Sequence, residues 1–496
     1  MNCFKKLLAI ICCIAMLLTV LVGCAKGEDE VTDTVSNSVG QGGDELYDEK
    51  GLLKDSIPDD LDYGGKNVRI VGWADTEASK DFNVDTSTGD EIAYQTFARN
   101  ESVKERLNVG LEFVLDYKGD NANRYDYIAT IEKNLMSGEI YDIIACYSQN
   151  VANFATDGYL VDLMSEDDAI EIDKPWWSSD LAENSVINNK LYFASGSISA
   201  TSIRETMIMA VNLKTVAELG VDDPRQLVKD GAWTLEAFYQ MCNKTYVDLN
   251  ADTQGKDVDD KFGFAMCDST FGDGFLASTG LHYLSTDNTG KLIISPDFKG
   301  EKIYNIAKNL IDHFKTDDYY YQTAYIPKVF TSGRAMLYGT DFGFLMDNRQ
   351  EITFNYGFVP FPKADVDQTE YYSCSGFPFT MWCITTQCPD TERAAYVMEA
   401  LASAGYRTVQ PEVYENLKYR GNTDEINAEM FDLIIASKTY DMGRVFHNNF
   451  KWEESPVALF RSRMYKYDGI DWYSALANKS GAIEGVLTSI NSSFGY

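Results

Sequence analysis

The sequence has little histidine, little positive charge and no apolar run long enough to span a membrane. Among 496 residues there are three histidines, and 43 Lys plus Arg stand against 76 Asp plus Glu, for a net charge of −33. So few histidines (His282, His313 and His447) argue against His-rich metal sites. The acidic balance argues against a nucleic-acid binder, which needs a basic face, and against adsorption to anionic lipid.

An apolar run of sixteen residues, Leu7 to Val22, follows two lysines near the N-terminus. At 1.5 Å per residue a helix of this length spans about 24 Å, which is short for a transmembrane helix and typical of a signal peptide. The run ends in Leu-Val-Gly-Cys24, the lipobox pattern whose cysteine receives diacylglycerol. We therefore predict a lipoprotein signal peptide over 1–23 and lipidation of Cys24. The alternative is a signal anchor with an incidental cysteine.

Residues 25–62 are strongly acidic and nearly devoid of aromatic side chains. They hold twelve Asp and Glu, three Lys and one aromatic residue, Tyr47. Such a segment buries too little apolar surface to order itself, so we predict a flexible acidic tether over 24–62. A lipidated cysteine followed by a solvated tether predicts a protein anchored on the extracytoplasmic face of the cell membrane.

From residue 66 onward, apolar strand-like segments alternate with helix-like segments, which predicts an α/β fold with doubly wound, mainly parallel sheets. Strands are predicted at 68–73, 110–115, 141–147, 207–211 and 376–385. Helices are predicted at 91–107, 124–136, 212–219, 234–244, 302–314 and 390–404.

Six cysteines lie in the body of the chain, without zinc-site spacing. Export would permit disulfides. Cys374, Cys383 and Cys388 are close enough in sequence for one pair among them, and buried free thiols are an equal alternative.

Several short segments share order and spacing with one family. Besides the lipobox, they are Arg99–Val109 (RNESVKERLNV), Ser137–Ile144 (SGEIYDII), Asp157–Leu163 (DGYLVDL), Pro175–Trp177 (PWW), Phe330–Met336 (FTSGRAM) and Val359–Lys363 (VPFPK). Across residues 65 to about 400 the sequence resembles the extracellular solute-binding lipoproteins of ABC importers, in the branch related to maltose-binding protein. The C-terminal hundred residues match this family only loosely.

The resemblance implies a type II periplasmic-binding-protein-like fold, with two α/β lobes and a ligand cleft between them. It implies crossings between the lobes near residues 197–203, 325 and 376. The N-terminal lobe would comprise 63–200 plus 326–375, and the C-terminal lobe 201–325 plus 376–496. Hinge closure on the ligand is the usual motion of such proteins. A monomer that docks on the transmembrane subunits of an ABC permease is implied.

A cleft for sugar needs aromatic rings for the apolar ring face and polar side chains for the hydroxyl rim. Such side chains are expected at the carboxyl ends of strands and near the crossings. The candidates are Trp73, Asp75, Tyr147, Gln149, Trp176, Trp177, Arg204, Glu205, Asp341 and Phe342. Some have a structural alternative: core packing for Trp73, wedging of loops for Trp176 and Trp177, turn capping for the aspartates, and a hinge salt bridge for Arg204 and Glu205.

A loop at 248–259 has the D-x-N-x-D spacing of an EF-hand-like calcium site. Its candidate ligands are Asp248, Asn250, Asp252, Gln254 and Asp259. Thr253 stands where the sharp turn favours Gly, and Asp259 replaces the bidentate Glu. Both a structural calcium site and a polar surface loop with Asx turns fit this pattern. No cofactor is otherwise required.

The sequence contains no GxSxG, HExxH or P-loop motif. Composition alone permits a glycosidase with two carboxylates, such as Asp341 with Glu205, but the resemblance favours a binding protein that is not an enzyme. We therefore expect the substrate-binding component of an ABC transporter, which captures a carbohydrate outside the membrane. A binding protein for peptide or another polar solute is the alternative, followed by a cell-surface glycan-active enzyme.

Overall fold

The computed structural model describes residues 46–75, 80–82, 90–166, 168–250, 256–266, 269–320, 326–420, 424–465 and 471–496. The chain divides into two units, Met1–Gly51 and Leu52–Tyr496. In the described part of the first unit the backbone turns at Asp48, whose Oδ1 accepts a hydrogen bond from the Lys50 amide at 2.9 Å. The signal peptide and Cys24 lie outside the described residues, so both stay predictions.

The described part of the second unit contains two main sheets and one small hairpin. Its strands are β1 Lys66–Gly72, β2 Val109–Val114, β3 Ile143–Tyr147, β4 Met207–Asn212, β5 Phe262–Met266, β6 Leu284–Thr286, β7 Leu292–Ile294, β8 Tyr319–Tyr320, β9 Ala335–Asp341, β10 Tyr356–Val359 and β11 Thr380–Ile384. The first sheet has the order β11-β3-β1-β2 and the second β10-β4-β9-β5-β8, while β6 and β7 form the hairpin.

Helices connect the strands and cover both sheets. The α-helices are Glu91–Leu107, Arg124–Met136, Val151–Thr156, Ser179–Ser185, Thr201–Arg204, Leu213–Leu219, Pro224–Lys229, Leu235–Cys242, Asp273–Ala277, Glu301–Phe314, Lys328–Thr331, Phe342–Asp347, Thr391–Arg407, Val409–Glu415, Glu425–Ala436, Met442–Val445, Pro456–Tyr465 and Trp472–Ser493. Short 3₁₀ turns occur at Leu163–Glu166, Ser269–Gly272, Asp297–Lys299, His447–Asn449 and Trp452–Glu454, and a π-helical turn at Asn416–Arg420.

The first elements show why the sequence folds this way. In β1, Val68, Ile70 and Val71 are fully buried, because a sheet covered by helices on both faces needs apolar side chains on both. The helix that follows starts where the Asp90 carboxylate accepts hydrogen bonds from two free amides of the first turn, and it ends at Asn108 in the left-handed conformation. The predicted strand–helix alternation is confirmed here.

In each sheet the parallel pairs lie on one side and the antiparallel pairs on the other. β1 is parallel to β2 and β3, and β5 is parallel to β8 and β9. β11 runs antiparallel to β3, and β4 runs antiparallel to β9 and β10. The carboxyl ends of the parallel strands therefore lie near the segments that pass from one sheet to the other.

Strand pairing corrects the expected division of the chain between the two lobes. β9 and β10, within 326–375, pair in the second sheet, whereas β11, within 376–496, pairs in the first. The chain therefore does not change sheets near residue 325, since β8 and β9 belong to the same sheet. Alternating strands and helices predict the elements but not their pairing, which depends on contacts between distant residues.

Two connections between the sheets run side by side. Thr206, before β4, forms an antiparallel bridge with Ser375, before β11. Next to this pair the Gly376 amide donates a hydrogen bond to the Glu205 carbonyl at 2.5 Å. The predicted crossings near 197–203 and 376 thus form one paired strip of backbone between the sheets.

The end of the predicted tether is an ordered part of the body. Asp55 has a side chain that is 1% exposed and pairs with Arg106 at 2.7 Å and Arg407 at 3.1 Å. Its carboxylate also accepts a hydrogen bond from Ser403, and Ile57 is buried nearby in sequence. The flexible segment predicted over 24–62 is therefore corrected, because residues 52–62 gain ion pairs and apolar contacts that composition does not reveal.

Two further findings concern the described residues. Their helices include none long and apolar enough to cross a membrane. Their cysteines are reduced and buried: Cys146, Cys242, Cys374, Cys383 and Cys388.

Replacing Asp55 by Asn should destabilise the protein. Burial raises the pKa of Asp55, but hydrogen bonds from Arg106 and Ser403 and the charges of both arginines outweigh it and lower the pKa from 3.8 to about 2. A lowered pKa stabilises the fold above pH 3.8, and this stabilisation is lost as the pH falls toward 2. The shift corresponds to about 2 kcal/mol, so urea unfolding at pH 7 should show a loss of that order.

The matched control is Asp60→Asn, because Asp60 is an exposed aspartate in the same segment. It should unfold like the wild type. Equal stability of the Asp55 and Asp60 variants at pH 7 would contradict the role of Asp55.

Candidate functional site

Tyr147, the last residue of β3, lies where the first sheet meets the connection that contains Ser375 and leads into β11. Because β11 runs antiparallel to β3, Thr380 lies opposite Tyr147. The next residue, Ser148, donates through its amide to the Phe379 carbonyl at 3.0 Å and through Oγ to the Phe377 carbonyl at 2.6 Å. These bonds fix the strand end against the connection that carries Phe377.

Trp73 supports Tyr147 from inside the first sheet. Its ring centroid lies 5.1 Å from that of Tyr147 in an edge-to-face arrangement, and its Nε1 donates to Thr380 Oγ1 at 3.1 Å. Trp73 is 1% exposed. The structure therefore places this candidate in the core beneath Tyr147.

A buried carboxylate with two guanidinium groups lies on the second-sheet side. Asp273 accepts from Arg444 Nε at 2.9 Å, and from Arg461 Nε and Nη2 at 2.7 and 2.6 Å. Burial by itself raises the pKa of Asp273, but the two arginines outweigh it and hold the pKa below its ordinary value. Asp273 thus stays charged, as buried arginines require.

Aromatic rings stack with these arginines. The Phe377 centroid lies 4.4 Å from Arg444 Cζ and 5.3 Å from Arg461 Cζ. His447 stacks on Phe377 at 6.0 Å and meets Trp452 edge-on at 5.0 Å. Trp452 is 45% exposed, so the layer ends in an aromatic ring that reaches solvent.

His447 is neutral in this layer. Burial, followed by the charge of Arg461, lowers the pKa of His447 to about 3. Its Nδ1 lies 2.7 Å from Ser455 Oγ. The ring therefore acts as a flat hydrogen-bonding group without charge.

Asn448 connects the two sides of the site. Its Nδ2 donates to the Gln149 carbonyl at 2.8 Å, and its Oδ1 accepts from Arg124 Nε at 2.9 Å. Arg124 and Gln149 belong to the first-sheet side, since they follow β2 and β3. These contacts bring the segment after Met442–Val445 against the strand ends of the other sheet.

These groups converge through hydrogen bonds and ring contacts that run from Gln149 and Asn448 to His447, Phe377 and the two arginines. Burial raises the pKa of Tyr147, and the charges of Arg124, Glu205, Arg461 and Arg444 all act on it. We call this convergence the intersheet cluster. Its members are Arg124, Tyr147, Gln149, Glu205, Asp273, Phe377, Arg444, His447, Asn448, Trp452 and Arg461.

Two buried polar atoms of the cluster have no hydrogen-bond partner among the described residues. They are Gln149 Oε1 and Arg444 Nη2. Arg444 also borders a cavity of about 10 Å³, room for one water molecule. Gln149 is 2% exposed, and a buried amide oxygen without a partner costs about 1–3 kcal/mol. A ligand that donates to Gln149 would recover this energy.

The cluster contains three of the candidates expected from the sequence, namely Tyr147, Gln149 and Glu205. Asp75 lies half-buried just after β1, and residues 76–79 fall outside the described part of the chain. Ligand contact by Asp75 therefore stays a prediction.

Three other candidates have structural partners. Arg204 pairs with both oxygens of Asp347 at 3.0 Å, which is the hinge-side salt bridge named as the alternative. Asp341 caps the helix Phe342–Asp347 by accepting from the Phe344 amide at 2.7 Å. Phe342 is buried at the start of that helix, among aromatic rings.

Trp176 and Trp177 share one carboxylate. Their indole nitrogens donate to the two oxygens of Glu399 at 2.8 and 2.7 Å, and both rings are buried. Burial outweighs these bonds and raises the pKa of Glu399 to about 7. The pair also borders a pocket of about 230 Å³ near Ser202 and Lys438, and ligand contact there stays a prediction.

The remaining members of the cluster were missed from the sequence. Arg444 and Arg461 are separated by a helix and a turn and form no short motif, and Asp273 lies far from both in sequence. The one available signal was the unusual run His447-Asn448-Asn449 followed by Trp452. Without contacts between distant segments, that run had no evident partner.

The calcium loop is only partly described. Asp252 and Gln254 lie outside the described residues. Asp259 Oδ1 lies 3.2 Å from Arg334 Nη1 and 3.5 Å from Lys328 Nζ, so this ligand is already paired with two cations. No group of metal-binding side chains is found among the described residues. Asp248 and Asn250 precede the gap, and calcium at this loop stays a prediction.

Glu399 should make stability depend on pH. A raised pKa stabilises the fold below the unfolded value of 4.5, and this stabilisation is lost as the pH rises to about 7. The loss amounts to about 3 kcal/mol over that interval. Urea unfolding of Glu399→Gln should therefore show a flatter dependence between pH 4.5 and 7 than the wild type. The exposed Glu415→Gln control should follow the wild type, and parallel curves for all three proteins would contradict the prediction.

No family model and no curated protein matches the sequence. Solved structures match most of it. A maltose/maltodextrin-binding domain from Bdellovibrio bacteriovorus bound to maltotriose is 12% identical and covers 85% of this chain and 100% of its own, with a TM-score of 0.52. An ABC substrate-binding protein from Listeria monocytogenes in complex with cycloalternan is 12% identical, with coverage of 87% and 100% and a TM-score of 0.52.

A third structure, UgpB from Mycobacterium tuberculosis in complex with glycerophosphocholine, is 15% identical, covers 79% of this chain and 96% of its own, and has a TM-score of 0.51. At such low identity, these likenesses establish the fold alone. The two-lobed α/β fold of type II binding proteins, predicted from the sequence, is confirmed. The first sheet with its helices forms one lobe and the second sheet forms the other.

Proposed function

We propose that the protein is the substrate-binding component of an ABC importer and captures a carbohydrate between its lobes. The observation that carries this proposal is the intersheet cluster, in which both lobes and the connection between them supply aromatic and polar groups. Within it, Gln149 Oε1 is buried without a partner in the described structure. An enclosed site with rings and oriented polar groups is what a small polar ligand requires.

The chemistry of the cluster suits sugar. Trp452, which is 45% exposed, offers a flat face for the apolar side of a pyranose ring. Gln149 and Tyr147 offer an amide and a hydroxyl group for its hydroxyl rim. Two of the similar structures described above hold oligosaccharides, which supports the same ligand class here.

Capture would require the lobes to separate and close. The bond from Arg124 Nε to Asn448 Oδ1 at 2.9 Å joins the helix after β2 to the segment after Met442–Val445. Ligand entry would break this contact, and closure would form it again around the ligand. The paired backbone of Thr206 and Ser375 is placed to bend during this motion.

Export, lipidation at Cys24 and delivery to a membrane permease complete the proposal. They rest on the lipobox and on the acidic segment that follows it. A monomer held outside the membrane by a lipid anchor would hand its ligand to the transmembrane subunits.

Two alternatives compete with a sugar-binding protein. UgpB shows that the fold also accommodates glycerophosphocholine, so another polar solute, such as a peptide, is the second candidate. The third is a glycan-active enzyme. The fold neighbours described above are binding proteins, and Asp341 of the carboxylate pair named from the sequence is engaged in helix capping, which supports binding without turnover.

A thermal-shift screen with neutral and acidic oligosaccharides and with peptides tests the ligand class. We expect oligosaccharides to raise Tm, with no released sugar after prolonged incubation. A rise with peptides alone would refute the carbohydrate assignment, and released sugar would refute the binding-protein assignment.

Gln149→Leu should then weaken the binding of the oligosaccharide found in the screen by about 10- to 100-fold, as measured by calorimetric titration, because a buried hydrogen bond to the ligand is lost. The control is Gln226→Leu on an exposed helix surface, which should leave affinity unchanged. Equal affinity of both variants would remove Gln149 from the site.

A further inference from the structure

The pocket of about 230 Å³ beside the first connection is lined by two opposite charges, Lys438 and Asp180. We call it the Lys438 pocket. It shares no lining residue with the intersheet cluster, and Glu399, which binds the indoles of Trp176 and Trp177, does not line it. In the described part of the chain, neither lining charge forms an ion pair with the other or with a third group.

Lys438 is held between the two connections. Its backbone forms a parallel bridge with Ser373 of the second connection, where the Thr439 amide donates to the Ser373 carbonyl at 2.7 Å. Its Nζ donates to the Ser202 carbonyl of the first connection and lies 5.4 Å from the ring centroid of Tyr440. An ammonium group has three donors. With one bond to the described residues, Lys438 keeps two donors for a ligand.

The two oxygens of Asp180 are used unequally. Oδ2 accepts from the Tyr440 amide at 2.7 Å and from Asn184 Nδ2 at 3.1 Å. Among the described residues, Oδ1 accepts only one long bond, from Thr439 Oγ1 at 3.4 Å. Because each carboxylate oxygen has two lone pairs, Oδ1 keeps the capacity to bind a positively charged donor.

Apolar side chains form other parts of the lining. Trp177 and Ile203 are buried there, and Tyr414 and Ile435 are half-buried. The volume lies below the range of about 300–1,000 Å³ that is common for drug-sized ligands. The pocket therefore suits a small molecule that carries an apolar group beside its charges.

We propose that the Lys438 pocket is a second binding site, for a free α-amino acid with an apolar side chain. The ligand carboxylate binds Lys438, its ammonium group binds Asp180 Oδ1, and its side chain lies against Trp177 and Tyr414. A ligand with both charges matches this lining, whereas a simple acid or amine would leave one charge of the pocket unpaired and meet it as a like charge. The site is separate from carbohydrate capture and does not depend on it.

The position of the pocket links amino-acid binding to lobe closure. Trp177 belongs to the first lobe, where it forms a bridge with Gly196. Ile435 lies in the helix Glu425–Ala436, which an ion pair between Glu429 and Lys229 at 2.7 Å fastens to the second lobe. A ligand between these walls favours one relative position of the lobes, so by linkage it changes the affinity for the cleft ligand. This consequence alone rests on the proposed function.

Calorimetric titration of the wild-type protein tests the site without any variant. Leucine is compared with 4-methylpentanoate and 3-methylbutylamine, and phenylalanine with 3-phenylpropanoate and 2-phenylethylamine, which lack the amino or the carboxyl group. We expect at least one of the two amino acids to bind about ten-fold or more tightly than both of its analogues. Absence of binding by both amino acids, or equally tight binding of an analogue, would overturn the proposal.

Lys438 variants locate the site. Lys438→Met removes the ammonium group but keeps an apolar stem, so it should weaken amino-acid binding by about ten-fold or more. Lys438→Arg should recover part of the affinity. The control is Lys214→Met, because Lys214 is exposed on a helix of the second lobe, and it should bind like the wild type. Unchanged amino-acid binding by Lys438→Met would place the ligand elsewhere and overturn the site.

The link to closure is tested with the oligosaccharide found in the screen. A saturating amount of the amino acid should change its affinity by about five-fold or more. An unchanged affinity would overturn the link and leave the site in place. If no oligosaccharide binds, the proposed function fails, and the amino-acid titration still decides the site.

Discussion

The carboxylate of Asp273 governs the arrangement of the site. It lies in a short helix of the second lobe and binds two arginines from helices near the C-terminus. Removing one partner of such a buried pair typically costs about 3–5 kcal/mol. Because Phe377 packs on both guanidinium groups, the same carboxylate also fixes the connection between the lobes. Asn448, beside His447 at the end of this layer, contacts Gln149 and Arg124 of the first lobe.

Local sequence predicted the elements well and their association less well. The helix 91–107 and the strands around Val68 and Ile144 follow from periodicity and capping, which depend on neighbouring residues. Which lobe each of the strands β9, β10 and β11 joins depends on pairing across long stretches of chain, which periodicity does not encode. For the same reason Tyr147 and Gln149 were identified at a strand end, whereas Arg444 and Arg461 were not.

The charged groups of the protein act in two ways, depending on whether they lie on the surface or in the interior. Most carboxylates are on the surface, where they keep the protein soluble and act through a screened field. Arg444 and Arg461 of the intersheet cluster are buried and act through contacts. A single net charge therefore describes the solubility of the protein but not the ligand that its site prefers.

The ion pairs of Asp55 have a mechanical consequence. Arg106 and Arg407 belong to helices that pack on the first sheet, so Asp55 fastens the described segment before β1 to the first lobe. A lipid anchor upstream would hold that lobe, and the second lobe would be the one that swings. Lobe closure would then leave the length of the tether between the anchor and the first lobe unchanged. Ligand affinity would therefore be the same for the anchored protein and for one released from the membrane.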